Sequence, residues 1–162
     1  MARNVKNGVV AVLFHRRREP PQKPQLLLAG TPIQYQEEVR YLGVLLDRGL
    51  SWKPHLTKII AQAKKKLLLA RNACGKLWGT VPHITRWIYT NVIRPAISYG
   101  SLVWHKGCDY QWAQKELNKI NRLALMYLSH FRRSTPTAGL EVLFNVMPLD
   151  LHVKMEASMA LV

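Results

Sequence analysis

The sequence predicts an α+β chain in which short antiparallel strands, forming a sheet edge with a hairpin, are followed by a mainly α-helical bundle. Before about residue 50 the apolar residues come in short apolar or β-branched runs divided by Gly and Pro turns; beyond it they recur at the spacing of helices. With 48% hydrophobic residues among 162, the chain has enough apolar material for a real core.

The strand region reads in order as "GVVAVLF", "QLLLAGTPIQYQ" and "VRYLGVLL", separated by "REPPQKP" and broken by a Gly-Thr-Pro turn. Ser51 can cap the first helix, with Pro54 tolerated in its opening turn. Leu56, Ile59, Ile60, Ala63, Leu67 and Ala70 then follow at helical spacing, with Lys58, Lys64, Lys65 and Arg71 on the opposite face. A second helix can start at Pro82 and bury Ile84, Trp87, Ile88 and Val92 until Pro95 kinks or ends it. A third, from about Asp109, puts Trp112, Leu117, Ile120, Ala124 and Leu128 on one side. "STP" at Ser134 to Pro136 and "MPLD" at Met147 to Asp150 each place a Pro in a first turn, and Asp150 suits the positive end of a helix dipole.

This divides the chain into a strand-rich edge (residues 1–50), a helical bundle (51–133) and a further helical segment (134–162). The last apolar pattern runs to Val162 with no Gly, Pro or polar stop, and three short strands cannot cover both their faces alone. Both features predict a piece of a larger protein.

Charge narrows the function. Lys and Arg number 24 against 9 Asp and Glu, a net +15, and the sequence pI is about 10.3. Such a surplus attracts polyanions at long range, which favours nucleic acid first and an anionic membrane second. The cations cluster as "HRRR" (His15 to Arg18), "KKK" (Lys64 to Lys66) and "FRR" (Phe131 to Arg133). Cys74 and Cys108 form no disulfide framework, Val9 to Phe14 is too short for a signal peptide, and the uncharged stretches are too short to span a bilayer. These features predict an intracellular protein, in nucleus or cytoplasm, with no membrane partner.

The acids are too scattered for two-carboxylate or two-metal chemistry. Asp47 follows an apolar strand, but Gly49 two residues later makes it an Asx-turn residue rather than a catalytic one. His105 and Cys108 have a ligand-like spacing without a second pair, and "CGKLWGT" lacks the spacing of a phosphate loop. Helical spacing assigns Trp87 and Trp112 to the core and leaves Trp52 and Trp78, at helix ends, available for stacking on bases.

Together, "VLFHRRR", "LLLAGTPI", "VRYLGVLLDRGLSWKPH", "IYTNVIRPAISYGSLVW" and "TPTAGLEVLFNVMPLDLHVKMEA" resemble the reverse transcriptases of non-LTR, LINE-like retrotransposons of the jockey type, in the region after the catalytic palm. The resemblance implies a palm edge with a primer grip at Tyr41, Leu42 and Gly43. It also implies a thumb whose Lys58, Lys64, Lys65 and Arg71, with Arg16, Arg17 and Arg18, hold the backbone of an RNA/DNA hybrid or DNA duplex without sequence preference. The family's Asp-Asp motif, its fingers and the rest of its palm are absent here. The resemblance therefore implies no catalytic residue and no cofactor in this chain, with Mg²⁺ belonging to the intact parent polymerase. The alternative is a basic nucleic-acid-binding or protein-interaction module that acts alone, from a truncated element copy.

Overall fold

The computed structural model describes residues 9–15, 22, 24–73, 82–129, 132 and 134–161. The chain forms two compact units, Met1–His55 and Leu56–Val162, the first made of strand pairs and the second of helices, as an α+β reading requires.

In the first unit the strands are β1 (Val10–Ala11), β2 (Leu27–Leu28), β3 (Thr31–Pro32), β4 (Gln34–Tyr35), β5 (Glu38–Tyr41) and β6 (Val44–Asp47). β2 and β3 form the hairpin expected at "LLLAGTPI", pairing Leu28 with Thr31. Its turn residues Ala29 and Gly30 have φ of 48° and 79°, the pair of positive values that matches a two-residue turn to strand twist. β1 pairs with β4 in parallel, Val10 opposite Gln34 and Ala11 opposite Tyr35. A parallel partner needs a long connection, and here that connection contains the β2–β3 hairpin. β5 and β6 pair antiparallel from Glu38–Asp47 to Tyr41–Val44. Among the described residues of this unit only Val44 and His55 are buried.

α1 (Lys53–Ala73) begins in the last residues of the first unit. The second unit continues with α2 (Pro82–Ile88), a π-helical turn (Tyr89–Ile93), α3 (Arg94–Ser98), α4 (Ser101–Trp104), a 3₁₀ turn (His105–Asp109), α5 (Gln111–Ser129), α6 (Thr137–Leu143) and α7 (Leu149–Met159). α5 packs against α2, α6 and α7, and α7 also against α3 and α4. Leu117, Ile120 and Ala124 of α5 are buried at the spacing anticipated, together with Leu140 of α6 and Val153 of α7. The side chain of Leu128 lies outside the described residues. Pro136 and Pro148 stand just before α6 and α7, in extended backbone, and Asp150 occupies the first turn of α7.

The second helix departs from its expected face. Ile84, Trp87 and Val92 are exposed, Trp87 by 56%, whereas Tyr89, Ile93 and Ile97 are buried. The buried stripe begins at a π-helical turn, in which the Arg94 N–H donates to the Tyr89 carbonyl, five residues back; nothing in the structure explains the exposure of Ile84 and Trp87, which precede it. One extra residue in a turn rotates the faces that follow it. It also loosens the backbone ahead of Pro95, whose missing N–H and bulky ring an α-helical turn accommodates poorly. Pro95 therefore sits in the first turn of α3 and the chain remains helical to Ser98, ending at Gly100 with φ of 66°. Trp112 is half-buried, and Trp104 fills the core with 0% exposure while its Nε1–H donates to the Tyr99 carbonyl at 3.0 Å.

Candidate nucleic-acid interface

Tyr41, Leu42 and Gly43 form the tip of the β5–β6 hairpin. Leu42 and Gly43 are its two turn residues, with φ of 45° and 89°. Glycine adopts this backbone freely, but leucine is strained in it by roughly 1–2 kcal/mol, because Cβ crowds the carbonyl that follows. Tyr41 is 64% exposed and Leu42 74%. The tip thus presents an aromatic ring, an aliphatic side chain and a glycine backbone to solvent.

The strand leaves this hairpin at Asp47, whose carboxylate organises the entry to α1. Oδ2 accepts the Ser51 N–H at 2.9 Å and Oδ1 the Trp52 N–H at 3.0 Å. Burial acts to raise the Asp47 pKa, but these hydrogen bonds outweigh it and leave the carboxyl below its usual range. Leu50 and Trp52 both have positive φ, 49° and 63°, so the carboxylate also holds a strained loop in place. Ser51 shares the capping, its Oγ accepting the Lys53 N–H at 3.4 Å. His55, buried, accepts the Leu45 N–H on Nδ1 at 3.1 Å, which ties the ring to β6.

The cations of α1 fall on two ridges. Lys58 and Lys65 are seven residues apart, two helical turns, and share one ridge. Lys64 and Arg71 share the other, where both meet α5: Lys64 Nζ donates to Glu116 Oε2 at 2.9 Å, and the Arg71 guanidinium lies 4.9 Å from the Tyr127 ring centroid. Glu116 also accepts from Lys119 at 2.6 Å. The hydrogen bonds from Lys119 and Lys64 hold its carboxyl down to about 2. Lys64 and Arg71 therefore belong partly to helix packing, while on the other ridge Lys65 is exposed and Lys58 half-buried.

The helical unit also holds a polar network that composition and spacing gave no reason to expect. The Tyr89 hydroxyl donates to Asn121 Oδ1 at 2.6 Å, and Asn121 Nδ2 donates to Glu141 Oε1 at 2.7 Å. Arg94, almost fully buried, donates to the Met147 carbonyl and lies 5.6 Å from the Tyr89 ring centroid. Burial pushes the Tyr89 phenol well above its usual range and works to lower the Arg94 guanidinium, with Tyr89 opposing. Tyr89 is therefore a neutral donor.

On the outer side of α5, Lys115, Lys119 and Arg122 line a groove of about 540 Å³ together with Asn118, Thr137 and Glu141. Their spacing was readable as a cationic stripe opposite Leu117, Ile120 and Ala124, but the far wall of the groove comes from α6.

Arg16, Arg17, Arg18, Phe131, Arg133, Cys74, Trp78 and the "CGKLWGT" stretch lie outside the described residues; Arg132 is exposed. His105 Nδ1 lies 3.1 Å from the Leu102 carbonyl, and Cys108 is fully buried. Among the described residues no group of three or more His, Cys, Asp or Glu converges on a point where a metal ion would fit, so no step through a metal is assigned to them. No helix of the described residues is long and apolar enough to cross a membrane.

Comparison with known proteins supplies the family relationship. The chain is 28% identical over 129 residues to the Pol polyprotein of the type-1 retrotransposable element R1 of Bradysia coprophila, covering 80% of this chain and 13% of that protein. It is 29% identical over 138 residues to a putative 115 kDa protein of the element R1DM of Drosophila melanogaster, covering 83% of this chain and 13% of that protein. It is also 29% identical over 125 residues to a probable RNA-directed DNA polymerase of the transposon X-element of the same species, covering 73% of this chain and 13% of that protein. No protein-family model and no solved structure matches. The homologues of this chain are thus Pol polyproteins of non-LTR retrotransposons, and it spans about 13% of the length of these three.

Proposed function

We propose that this chain, homologous to a stretch of retrotransposon Pol polyproteins, is the part of an RNA-directed DNA polymerase that holds the primer–template duplex. The α1 helix acts as a thumb: its Lys58–Lys65 ridge lies along the phosphates of an RNA/DNA hybrid or DNA duplex, flanked by Lys64 and Arg71. The β5–β6 tip acts as a primer grip, with Gly43 letting the backbone come close to the strand and Tyr41 and Leu42 giving it apolar contact. Such contacts position a duplex without reading its sequence.

The observation that carries this reading is the Lys58–Lys65 ridge, two helical turns apart on the longest helix among the described residues, in a chain with net charge +15. The relationship to polymerases supports it. Nucleotidyl transfer, and the Mg²⁺ it uses, are assigned to carboxylates that these residues do not include, so the chain alone binds and does not polymerise.

The test is a binding titration of the chain with a blunt RNA/DNA hybrid at about 50 and 200 mM salt. Six or more phosphate contacts would weaken affinity by about a thousandfold or more over that interval. An affinity that scarcely changes rejects the phosphate-backbone reading.

A further inference from the structure

We infer that the groove between α5 and α6 takes an unpaired nucleic-acid strand, separate from the duplex on α1. This inference deepens the duplex-holding reading above and rests on it for the class of ligand.

The groove has the chemistry of such a site. Lys115, Lys119 and Arg122 stand at i, i+4 and i+7 on α5, about 10 Å from first to last at 1.5 Å per residue. They form a row of cations suited to successive phosphates of one strand. Neutral hydrogen-bonding groups stand beside them: Asn118, whose Oδ1 is buried without a partner, and Thr137. Glu141 adds an acceptor for the exocyclic amino groups of bases.

The walls are held rigidly. Arg122 Nη1 donates to the Thr135 carbonyl at 2.9 Å and to Thr137 Oγ1 at 2.6 Å. Glu141 is fixed from behind by Asn121, which is fully buried and in turn held by Tyr89. A groove so anchored keeps its shape when empty, which reduces the ordering cost of binding.

Shape separates this strand from the duplex. A duplex carries its phosphates on the outside of a rod and meets a helix ridge such as Lys58–Lys65, whereas a concavity of about 540 Å³ between two helices admits the splayed backbone and bases of one strand. Three cations face one carboxylate there, and Lys119, though bonded to Glu116, keeps 67% of its side chain exposed.

The experiment compares the intact chain's affinity for a blunt hybrid duplex, for the same duplex with a single-stranded overhang of about eight nucleotides of either polarity, and for the free single strand. One overhang polarity should tighten binding by about tenfold and steepen the salt slope by about two, as three cations on a single strand would. The double variant Lys115→Gln/Lys119→Gln, on exposed side chains, should lose most of that gain and leave blunt-duplex binding unchanged. Equal binding of blunt and overhung duplexes, or a variant that weakens both in proportion, overturns the inference while leaving the duplex reading intact. If the blunt duplex is not bound but the single strand is, and the double variant abolishes this, the groove stands and the duplex reading falls. If neither ligand binds, both fall.

Discussion

Tyr89 donates its hydroxyl proton to Asn121 Oδ1 at 2.6 Å, between a π-helical turn and the middle of α5, with both residues almost completely buried. The bond joins segments 32 residues apart and continues through Asn121 to Glu141 on α6. Removing the hydroxyl leaves a buried acceptor without its donor. Tyr89→Phe should therefore cost about 1–3 kcal/mol, measured by urea unfolding, and much less in an Asn121→Ala background, where the acceptor is already gone. Equal costs in both backgrounds would show that the two residues are not coupled.

Asp47 should prove structural. Asp47→Ala removes the acceptor for two backbone N–H groups at the entrance to α1, a loss of about 1–2 kcal/mol by analogy with helix caps. Its folded pKa is lowered, so its stabilisation is present above the unfolded value near 3.8 and fades as pH falls through the lower folded value. Wild type and variant should therefore differ at neutral pH and converge in acid. A difference independent of pH would mean that the carboxylate charge is not what holds the loop.

Glu116 competes with any polyanion for Lys64 and Lys119. Glu116→Gln should raise duplex affinity several-fold by releasing Lys64 and single-strand affinity by releasing Lys119, with a modest change in stability, since the ion pairs it breaks are partly exposed. Because the folded carboxyl titrates at about 2, against 4.5 ordinarily, the small stabilisation it gives is present above the ordinary value and is lost between them as pH falls. Unchanged affinity would place the nucleic acid away from this junction.

Cys108 is fully buried, and burial pushes its thiol up to about 12. The thiolate is the reactive form, so peptide mapping after iodoacetamide treatment at neutral pH should find Cys108 unmodified in the folded chain and labelled only in denaturant. Rapid labelling of the native protein would contradict the packing around the 3₁₀ turn.

Much of the fold was legible because local chemistry agreed with tertiary structure. The turn before Thr31-Pro32, the α1 core spacing, and the prolines before α6 and α7 all carry short-range signals, whereas "VRYLGVLL", read from its residues as a single strand run, is split by the turn at Leu42-Gly43. The face beyond α2 was not legible, because a single extra residue in the π-helical turn shifts the register of Ile93 and Ile97 behind it; the exposure of Trp87, ahead of that turn, has no short-range signal either. Asp47 was readable as a turn residue from Gly49. The split of the α1 cations between two ridges needed the positions of Glu116 and Tyr127, and the α5 groove needed Thr137 and Glu141, all partners distant in sequence.

The central claim is that the Lys58–Lys65 ridge contacts the phosphates of a duplex. It is tested most directly by the slope of log affinity against log salt for a blunt hybrid, with wild type and with Lys58→Gln/Lys65→Gln. Two lost phosphate contacts predict a slope shallower by about two and weaker binding at low salt, whatever the duplex sequence. An unchanged slope, or a loss confined to one sequence, would contradict the account.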